Sequence, residues 1–558
     1  LTVEEERIHN ISVKEGMTKE LMSWVDLSTI ELISRRQATN VIDARWILKW
    51  KNVDGKRIVK ARLCLRGFKD NQADVLATFA GTASRWSQRL IASLSAQHGW
   101  KLISADIGTA FLRGMTFKEM AQYTGEPLRE VCLDPPAGTE LVLRQFPGFE
   151  NYDPSRHVLK LIKPVYGLKD APRAWRLMLD VILTELDGHK MICDRQMYMW
   201  HYKDDLVMIA STHVDDLKVT GDESWIKWLL AELERKVGKL SVKDGRFEHC
   251  GIEHHRLDNG TVVMSQDHYA SQLKPILLPK QYKDDVSTDK HITAAFLTLL
   301  GGLSWLCLTR YDISIYVVAL QRSSKAPLLS HAAAANRLLK WVQRKPFQCF
   351  YHPMQGPFRI QCISDSAFKR EDSEGLAMRG AFICLVQDYS DHPGGMMHII
   401  EHYSRKQKRV VRSTFAAELH ALIDSIEHGK LLMYAMCEIH FGPQKPEDLI
   451  QIEELARWPL PLEAVVDAYA VYSTAAKQDS KNPEEQTLVT LVMVLREMLK
   501  SHRLNKIWWV DTRDMLADGL NKGSIPREPL LALARTGLWN LQFACEGHQF
   551  VDTATPAV

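Results

Sequence analysis

The sequence predicts an α+β fold that is divided into several domains. Apolar runs rich in β-branched residues alternate with segments whose apolar residues recur at helical spacing, and short glycine or asparagine turns separate them. Single acidic residues stand at the ends of several of these runs. A chain of 558 residues is too long for one hydrophobic core, and about three or four domains are expected at roughly 150 residues each.

The composition is that of an ordinary folded protein. Hydrophobic residues make up 46% and charged residues 25% of the chain, which argues against disorder. No apolar stretch reaches the roughly 18 residues that a membrane-spanning helix needs, and no signal peptide is visible. The ten cysteines lack the paired spacing of a zinc site or a disulfide framework, so we expect a reducing compartment. Because the chain begins at Leu1, we interpret it as a piece of a longer product.

A basic hairpin follows an acidic, helix-prone lead-in of 40 residues. Two β-rich runs from Val41 onward flank the turn signal NVDG at residues 52–55. Between residues 45 and 69 there are nine lysines and arginines and one acid. This charge suits contact with a phosphate backbone. A soluble edge hairpin protected by lysine explains the same residues equally well.

The next two segments supply three candidate catalytic acids. Residues 84–98 have helical spacing, and after Gly99 a short apolar strand leads to Asp106. A strand, turn and strand over residues 206–221 place Asp215 and Asp216 side by side. Adjacent carboxylates repel each other, and a divalent cation removes that repulsion. A solvated hairpin turn is the alternative interpretation of the pair.

A tight turn between these acids opens a further helix. Gly167 and Pro172 frame the turn, and Lys169 and Arg173 lie near the helix start, where they suit a phosphate or a stacked base. A helix, a strand, a turn at 258–260 and another strand follow the acidic pair. The histidines of this region lack the spacing of a metal site (His249, His254 and His255).

Four more acids follow a helical stretch at residues 291–345 and a boundary marked by Pro346 and residues 351–357. Asp365 and Asp467 end apolar strands, Glu418 lies on the apolar face of a helix, and Asp518 begins one. Their number favours a two-metal arrangement, in which cations about 3.5 to 4 Å apart hold the attacking and leaving oxygens of a phosphodiester. A second basic cluster, SRKQKRVVR at 404–412, lies among them.

In this order, the motifs resemble the reverse transcriptase and ribonuclease H part of the Pol polyprotein of copia-type LTR retrotransposons. KARLCLRGF resembles the fingers motif, SADIGTAFLRG the first catalytic motif, VYGLKDAPRAW the template and nucleotide turn, and THVDDL the YVDD box. GIEHHRLDNGTVVMSQDHY and GGLSWLCLTRYDISIYV resemble the entry to the thumb and the connection. Four further segments resemble the four acidic blocks of the ribonuclease H domain, namely ISDSAF, FAAELHAL, VVDAYA and DMLADGLNK.

The resemblance implies a right-hand polymerase of fingers, palm and thumb with a helical connection, followed by an α/β ribonuclease H-like domain. The expected division is a lead-in at 1–40, fingers and palm at 41–275, and thumb and connection helices at 276–350. A ribonuclease H-like domain is expected at 351–535 and a tail at 536–558.

The implied function is an RNA-directed DNA polymerase with ribonuclease H activity that copies element RNA into DNA by two-metal phosphoryl transfer. Its implied partners are an RNA template, a DNA primer, an RNA–DNA hybrid and dNTPs, without a membrane, and its oligomeric state stays open. The expected location is intracellular: the cytoplasm, in a virus-like particle, with the nucleus as a second site. Two Mg²⁺ ions per active site, with Mn²⁺ as a substitute, would be held by Asp106, Asp215 and Asp216 in the polymerase and by Asp365, Glu418, Asp467 and Asp518 in the nuclease. The implied nucleotide and template contacts are Lys60, Arg62, Tyr166, Gly167, Lys169 and His213.

Four residues depart from the family pattern, and none of them is an implied metal ligand. His213 replaces tyrosine, Asp170 glutamine, Tyr311 proline, and Ala468 asparagine. With a pKa near 6.5, His213 would make the activity pH-sensitive, and Asp170 would weaken template binding through its charge near a template phosphate. The alternative function is therefore a catalytically impaired retroelement relic that folds and binds nucleic acid without turnover. A nuclease that uses only the carboxyl-terminal domain would leave the fingers and palm motifs without a purpose.

Overall fold

Four β-sheets and the helices packed on them make up the part of the chain that the computed structural model describes, residues 1–53, 55–281, 283–368, 377–388, 391–477, 483 and 485–550. The elements of the first part of the chain are α1 (Val3–Ile8), α2 (Asn10–Asp26), β1 (Ile30–Ser34), β2 (Val41–Val53), β3 (Lys56–Leu65), α3 (Arg85–His98), β4 (Lys101–Ile107), α4 (Phe117–Thr124), β5 (Cys132–Asp134), α5 (Glu140–Leu143), β6 (His157–Leu161), α6 (Ala171–Glu185), β7 (His189–Lys190), β8 (Met197–Tyr202), β9 (Asp205–His213), β10 (Asp216–Gly221), α7 (Glu223–Val237) and β11 (Leu240–Asp244).

The remaining elements form a small sheet, a group of helices and a large sheet. They are β12 (Arg246–His249), β13 (Ile252–Arg256), β14 (Val262–Ser265), α8 (Asp267–Gln272), α9 (Lys290–Leu306), α10 (Ser314–Gln321), α11 (Leu329–Arg344), β15 (Gln348–Tyr351), β16 (Phe358–Ala367), β17 (Met378–Gln387), β18 (Gly395–Lys406), α12 (Thr414–Phe441), α13 (Pro446–Glu454), β19 (Leu462–Val466), α14 (Tyr469–Ala476), α15 (Gln486–Lys500), β20 (Lys506–Val510), α16 (Asp518–Asn521), α17 (Glu528–Thr536), β21 (Leu538–Trp539) and β22 (Cys545–His548). Among the helices of the described residues, none combines the length and the apolar character that crossing a membrane requires.

The basic hairpin predicted from the sequence is present in a five-stranded sheet with the order β1-β6-β5-β2-β3. Strand β3 alternates strictly, because Val59, Ala61 and Leu63 are buried while Lys60 and Arg62 point to solvent. The turn uses Gly55 with a φ of 77°, and Asp54 of the predicted turn lies outside the described residues. Strand β1 lies within the predicted lead-in, but it pairs with β6 and belongs to this sheet.

The second sheet is antiparallel, has the order β11-β4-β10-β9-β8-β7, and carries the first three candidate acids. Ala105 of β4 and Leu217 of β10 pack against Trp175 of α6 and Leu229 of α7 in one apolar cluster. The alternate side chains of β4 and β10 point to the opposite face, which therefore carries the candidate acid of each strand. We call this sheet the palm sheet.

The expected boundary between residues 350 and 351 falls inside a strand. Strand β15 pairs with β14, with Tyr351 opposite Val262, in a four-stranded sheet of order β12-β13-β14-β15. Helices α8 to α11 bury their apolar faces against one another beside this sheet. The sequence predicted the helical stretch of α9 to α11 but not α8. The chain passes to the next sheet only after residue 351.

The large sheet has the order β21-β18-β17-β16-β19-β20-β22 and is called here the carboxyl-terminal sheet. Strands β16, β17 and β18 are antiparallel, whereas β19 and β20 run parallel to β16. Helix α12 crosses the sheet very closely at Gly429, where a Cβ atom would lie 2.3 Å from the Sγ atom of Cys362. The absence of a side chain at this position allows that close approach.

The palm sheet and the carboxyl-terminal sheet share one hydrophobic core, which the sequence did not predict. Helix α3 lies between them, and its Leu90 belongs to the same buried cluster as Met199 of β8 and Ile400 of β18. Arg89 on this helix is 3% exposed. It donates hydrogen bonds to Leu308 O at 2.7 Å, Ile400 O at 3.2 Å and Glu401 Oε1 at 3.0 Å. The two sheets are therefore parts of one packed unit.

A buried carboxyl group forms a second link between these two sheets. Glu438 of α12 is 1% exposed, and its carboxyl oxygens accept the backbone N–H of Ile192 at 3.0 and 3.2 Å. Burial raises the pKa of Glu438 to about 7. In the folded protein the Glu438 carboxyl group therefore keeps its proton up to about pH 7, whereas in the unfolded chain it releases the proton near pH 4.5.

We expect Glu438→Gln to remove a pH-dependent loss of stability. Because the pKa of Glu438 is raised in the folded state, ionisation of this group lowers the free energy of unfolding. The loss is absent below about pH 4, grows as the pH rises to about 7, and is constant above that pH. From the size of the shift, the loss is on the order of 3 kcal/mol at pH 8. Urea unfolding at pH 5 and pH 8 measures it, with the exposed Glu447→Gln as the control. An equal pH dependence in native protein and Glu438→Gln would contradict this expectation.

Candidate active sites

Three acids from two separate segments meet at one end of the palm sheet. Strands β4 and β10 are neighbours, and Asp106 and Asp216 are direct cross-strand partners on the same face. Asp215 precedes β10 in the turn, and its carbonyl oxygen accepts the N–H of Ile107 at 2.9 Å. The turn is tight, with Val214 at a φ of 58°. Strand pairing thus brings together acids that lie more than one hundred residues apart in the sequence.

Partial burial and mutual repulsion act on these carboxyl groups. Burial, then Asp106 and Asp215, raise the pKa of Asp216 to about 6. The pKa of Asp106 is also raised, first by burial and then by the charge of Asp215. Carboxylates that repel one another in a half-buried place gain free energy when a divalent cation joins them. Their oxygen donors are of the type that Mg²⁺ and Mn²⁺ prefer.

Four of the predicted nucleotide contacts lie beside these acids. The guanidinium of Arg62 stands 5.3 Å from the ring centre of Tyr166, and the charge of Lys60 acts on Asp106. Burial and the nearby acids raise the pKa of Tyr166 to about 12. Gly167 has a φ of 99°, and a Cβ atom there would lie 2.1 Å from Leu65 O, so only glycine fits.

The backbone fixes this turn against the basic hairpin. The N–H of Leu65, at the end of β3, donates to Tyr166 O at 2.9 Å. The Tyr166 ring also packs on Phe111, with 5.4 Å between the ring centres. Lys169 is exposed, with its ammonium 4.0 Å from the Asp74 carboxylate. The turn therefore presents one wall of a cleft whose other walls are the hairpin and the three acids.

A second acidic cluster lies on the carboxyl-terminal sheet. Asp365 is on β16, Asp467 follows β19, and these parallel strands are paired so that Ile363 stands opposite Val465. Asp518 begins α16. Each of the three acids places an oxygen within 4.8 Å of the other two, so among the described residues they form a group that could hold a metal ion. Parallel pairing brings the first two together, because the carboxyl ends of β16 and β19 share one edge.

Glu418 completes this cluster from helix α12. It accepts the N–H of Ser366 at 3.3 Å, and burial, then Asp365 and Asp467, raise its pKa to about 10. Burial and the charge of Asp365 likewise raise the pKa of Asp467 to about 6 and that of Asp518 to about 7. Asp365 Oδ1 and Glu418 Oε2 are buried without a hydrogen-bond partner. Such oxygens fit a bound cation.

Two residues of this cluster were not predicted from the sequence. Asn521 donates through Nδ2 to Asp365 Oδ2 at 2.6 Å. The ammonium of Lys522 lies 3.2 Å from Asp365 Oδ2 and also pairs with Asp518. Although burial opposes it, the charges of Asp365 and Asp518 raise the pKa of Lys522. The only signal in the sequence was a spacing of four residues between Asp518 and Lys522 at the start of a helix.

Residues 27–283 match the family model described as reverse transcriptase (RNA-dependent DNA polymerase). The chain carries a reverse transcriptase domain. This interval contains the palm acids and begins before the expected start at residue 41, which agrees with the place of β1 in the first sheet.

The chain is distantly homologous to copia-type retrotransposon Pol polyproteins. It is 25% identical over 452 residues to the Retrovirus-related Pol polyprotein from transposon RE1 of Arabidopsis thaliana, covering 78% of this chain and 28% of that protein. It is 27% identical over 234 residues to the corresponding polyprotein from transposon TNT 1-94 of Nicotiana tabacum, covering 41% and 16%. A putative transposon Ty5-1 protein of Saccharomyces cerevisiae is 26% identical over 244 residues, covering 41% and 78%. The chain thus spans less than a third of the length of the RE1 polyprotein.

The expectation that Asp170 repels the template of the reverse transcriptase domain is wrong. Asp170 is 1% exposed, and its carboxylate pairs with the Arg129 guanidinium, which also pairs with Asp70. A carboxylate that is buried and paired with arginine does not point towards a phosphate bound outside. Arg129 therefore accommodates the departure at Asp170.

The structure also shows the surroundings of the other three residues that depart from the family pattern. Burial lowers the pKa of His213, so the expected ordinary value near 6.5 is wrong, and the ring faces His249 with 6.2 Å between centres. Tyr311 is buried against Phe347 in the core of the carboxyl-terminal sheet. Ala468 is the N-cap residue of α14 and makes no side-chain cap hydrogen bond.

We expect Asp170→Gln, which restores the residue usual in the family, to destabilise the protein without improving template affinity. The change leaves Arg129 with Asp70 as its carboxylate partner and replaces a charge-assisted hydrogen bond by a neutral one, which costs about 1 kcal/mol. Urea unfolding measures the stability, and fluorescence anisotropy of a labelled RNA–DNA primer-template measures the affinity. Asp187→Asn at an exposed position is the control. Tighter template binding at unchanged stability would show that the carboxylate does act on the template.

Proposed function

We propose that this chain is an RNA-directed DNA polymerase that copies retroelement RNA into DNA. The observation that carries the proposal is the meeting of Asp106, Asp215 and Asp216 at one end of the palm sheet, beside the basic hairpin and the Tyr166 turn. The match of residues 27–283 to the reverse transcriptase family supports it. The RNA template, the DNA primer and dNTPs are the proposed partners, and the cytoplasm is the proposed location, with the nucleus as a second.

Each group in this cleft has a definable task. The three carboxylates would hold two divalent cations, whose chemistry is to activate the primer 3′ hydroxyl and to neutralise charge on the reacting phosphates. Lys60 and Arg62 point out of the hairpin, so they can bind the incoming triphosphate, with two phosphate oxygens bonded by the arginine fork. Tyr166 and Gly167 would form the floor beneath the nucleotide base. The proposed contacts of Lys169 and His213 with template and primer rest on the resemblance.

We propose a second activity, cleavage of the RNA strand of an RNA–DNA hybrid, at the cluster on the carboxyl-terminal sheet. Its support is the convergence of Asp365, Glu418, Asp467 and Asp518, which would hold two divalent cations. The sheet is compatible with the expected α/β domain, because three antiparallel strands followed by two parallel ones form its centre and helix α12 packs on it. Hybrid recognition would depend on shape and on the 2′ hydroxyl.

A basic cleft beside this cluster suits the hybrid backbone. It is lined by five cationic side chains, and helix α12, which carries Glu418, forms its wall through His420 and Ile423. Most of the cations come from the basic cluster seen in the sequence at 404–412. Phosphates on one strand of the hybrid can be neutralised here while the other strand reaches the acids. The cationic residues are Arg379, Arg405, Lys406, Lys408 and Arg409.

The alternative of a catalytically impaired relic is less well supported than turnover. One of the four departures that argued for it was the charge of Asp170, and that carboxylate is paired internally with Arg129. The seven acids named for the two sites lie in two groups, one on each sheet. The relic would bind primer-template and hybrid but would neither extend nor cleave them under any divalent cation.

We expect Asp215→Asn to abolish primer extension on an RNA template and to leave hybrid cleavage intact. The amide cannot supply the charge that holds the cations, so extension should fall on the order of 10³-fold or more. Extension of a labelled primer with Mg²⁺ and cleavage of a labelled hybrid measure the two activities in the same preparation. Asp187→Asn, an exposed acid, is the matched control. Loss of both activities would mean that the two acid clusters do not work as separate sites.

We expect the opposite pattern for Glu418→Gln. Removing this charge from the carboxyl-terminal cluster should stop hybrid cleavage while primer extension continues at the native rate. Glu447→Gln, an exposed acid on α13, should change neither activity. Normal cleavage by Glu418→Gln would remove Glu418 from the site.

A further inference from the structure

A lysine ammonium occupies the centre of the nuclease cluster. Lys522 stands four residues after Asp518, and its side chain folds back over the short helix α16 to reach the acids. Its Nζ atom lies 3.2 Å from Asp365 Oδ2 and also contacts Asp518 Oδ1. These are two of the three acids whose oxygens converge within 4.8 Å. The lysine and a divalent cation would therefore use the same carboxylates.

The surroundings distinguish this contact from a permanent buried ion pair. Asp365 is 1% exposed, whereas the Lys522 side chain is 30% exposed and keeps a route to solvent. Asp365 Oδ1 has no hydrogen-bond partner, so the lysine does not satisfy the carboxylate completely. A lysine has a flexible four-carbon stem and three rotatable donors, which lets it leave without moving the backbone.

Electrostatics makes joint occupation unfavourable. Two cations a few ångströms apart in a partly buried site repel each other strongly. A divalent ion carries twice the charge of the ammonium and binds several carboxylates at once, so it can displace the lysine when its concentration is sufficient. The polymerase acids face no such competitor, because within the described residues no lysine or arginine nitrogen lies within 4.0 Å of Asp106, Asp215 or Asp216.

We propose that Lys522 is a tethered cation that competes with divalent ions for Asp365 and Asp518 and thereby sets the ion concentration at which the nuclease site loads. The inference rests on the proposed nuclease function, because it assumes that the cluster takes divalent ions. In this proposal Lys522 acts through the acids it contacts and not on the substrate itself.

The direct test is a titration of the full chain with Mn²⁺, in which electron paramagnetic resonance measures the concentration of free Mn²⁺. All proteins carry Asp106→Asn and Asp216→Asn, so that binding at the palm acids is removed. We expect Lys522→Gln to bind Mn²⁺ about tenfold more tightly, because the competing charge is gone. Lys522→Arg, which keeps the charge, and Lys500→Gln, at an exposed position on α15, should bind as the unsubstituted lysine protein does. Unchanged or weaker binding by Lys522→Gln would overturn the proposal.

A second measurement needs no substitution at Lys522. Acetylation of lysines by an amine-reactive ester, read by mass spectrometry, should modify Lys522 several-fold faster when Mn²⁺ is added, because the displaced ammonium is free to react. Lys500 should react at the same rate with and without Mn²⁺. A Lys522 rate that does not rise at saturating Mn²⁺ would overturn the proposal even if Lys522→Gln fails to fold.

One further variant separates failure of this inference from failure of the nuclease proposal. Asp365→Asn in the same background should abolish Mn²⁺ binding at the cluster. If it binds Mn²⁺ as well as before, the cluster is not a metal site and the nuclease proposal fails. If Asp365→Asn loses Mn²⁺ while Lys522→Gln binds it unchanged, only the role of Lys522 is rejected.

Discussion

The buried guanidinium of Arg89 is the interaction on which the arrangement of the whole molecule depends. Its donors reach the helical connection at Leu308 and strand β18 at Ile400 and Glu401, while its own helix α3 packs on the palm sheet. An arginine at 3% exposure is tolerated only when its donors are satisfied. Here they are satisfied by groups from two other parts of the chain. The position of α3 therefore fixes the palm relative to the carboxyl-terminal sheet.

The same helix also supports the strand that carries the palm acids. Lys218 on β10 is fully buried, and its Nζ atom donates to Gln88 O of α3 at 2.8 Å. Lys218 lies two residues beyond Asp216, on the same face of the strand. The palm acids and the carboxyl-terminal sheet are thus both anchored to α3. This explains why the two proposed centres belong to one packed unit, although their acids are separate in the chain.

The two acid clusters solve the same electrostatic problem in different ways. The palm acids are half-exposed, so solvent reduces their repulsion, and the nearby Lys60 acts from a distance. The acids of the carboxyl-terminal cluster are more deeply buried, and this burial, followed by repulsion from Asp365 and Asp467, raises the pKa of Glu418 to about 10. That second cluster contains its own cation, Lys522, in direct contact with Asp365. Deeper burial requires closer neutralisation, because low dielectric strengthens the repulsion.

The sequence by itself determined the local elements and the identity of the acids. Helical and strand periodicities, the glycine turns at Gly55 and Gly99, and acids at the ends of apolar runs are local features, and they were read correctly for β4, β9, β10, α12 and β19. The resemblance supplied their order and the expected roles. These signals depend on neighbouring residues, so they survive without knowledge of the fold.

Only the tertiary structure decided which charges meet. It turned Asp170 inward to Arg129, brought Lys522 to Asp365, joined β15 to β14, and merged two domains along α3. Each of these is a contact between residues that are distant in the sequence. The sequence allows many such pairings, and the packing of the folded chain selects one of them. The partners of a charge are chosen by burial and distance, which no local pattern contains.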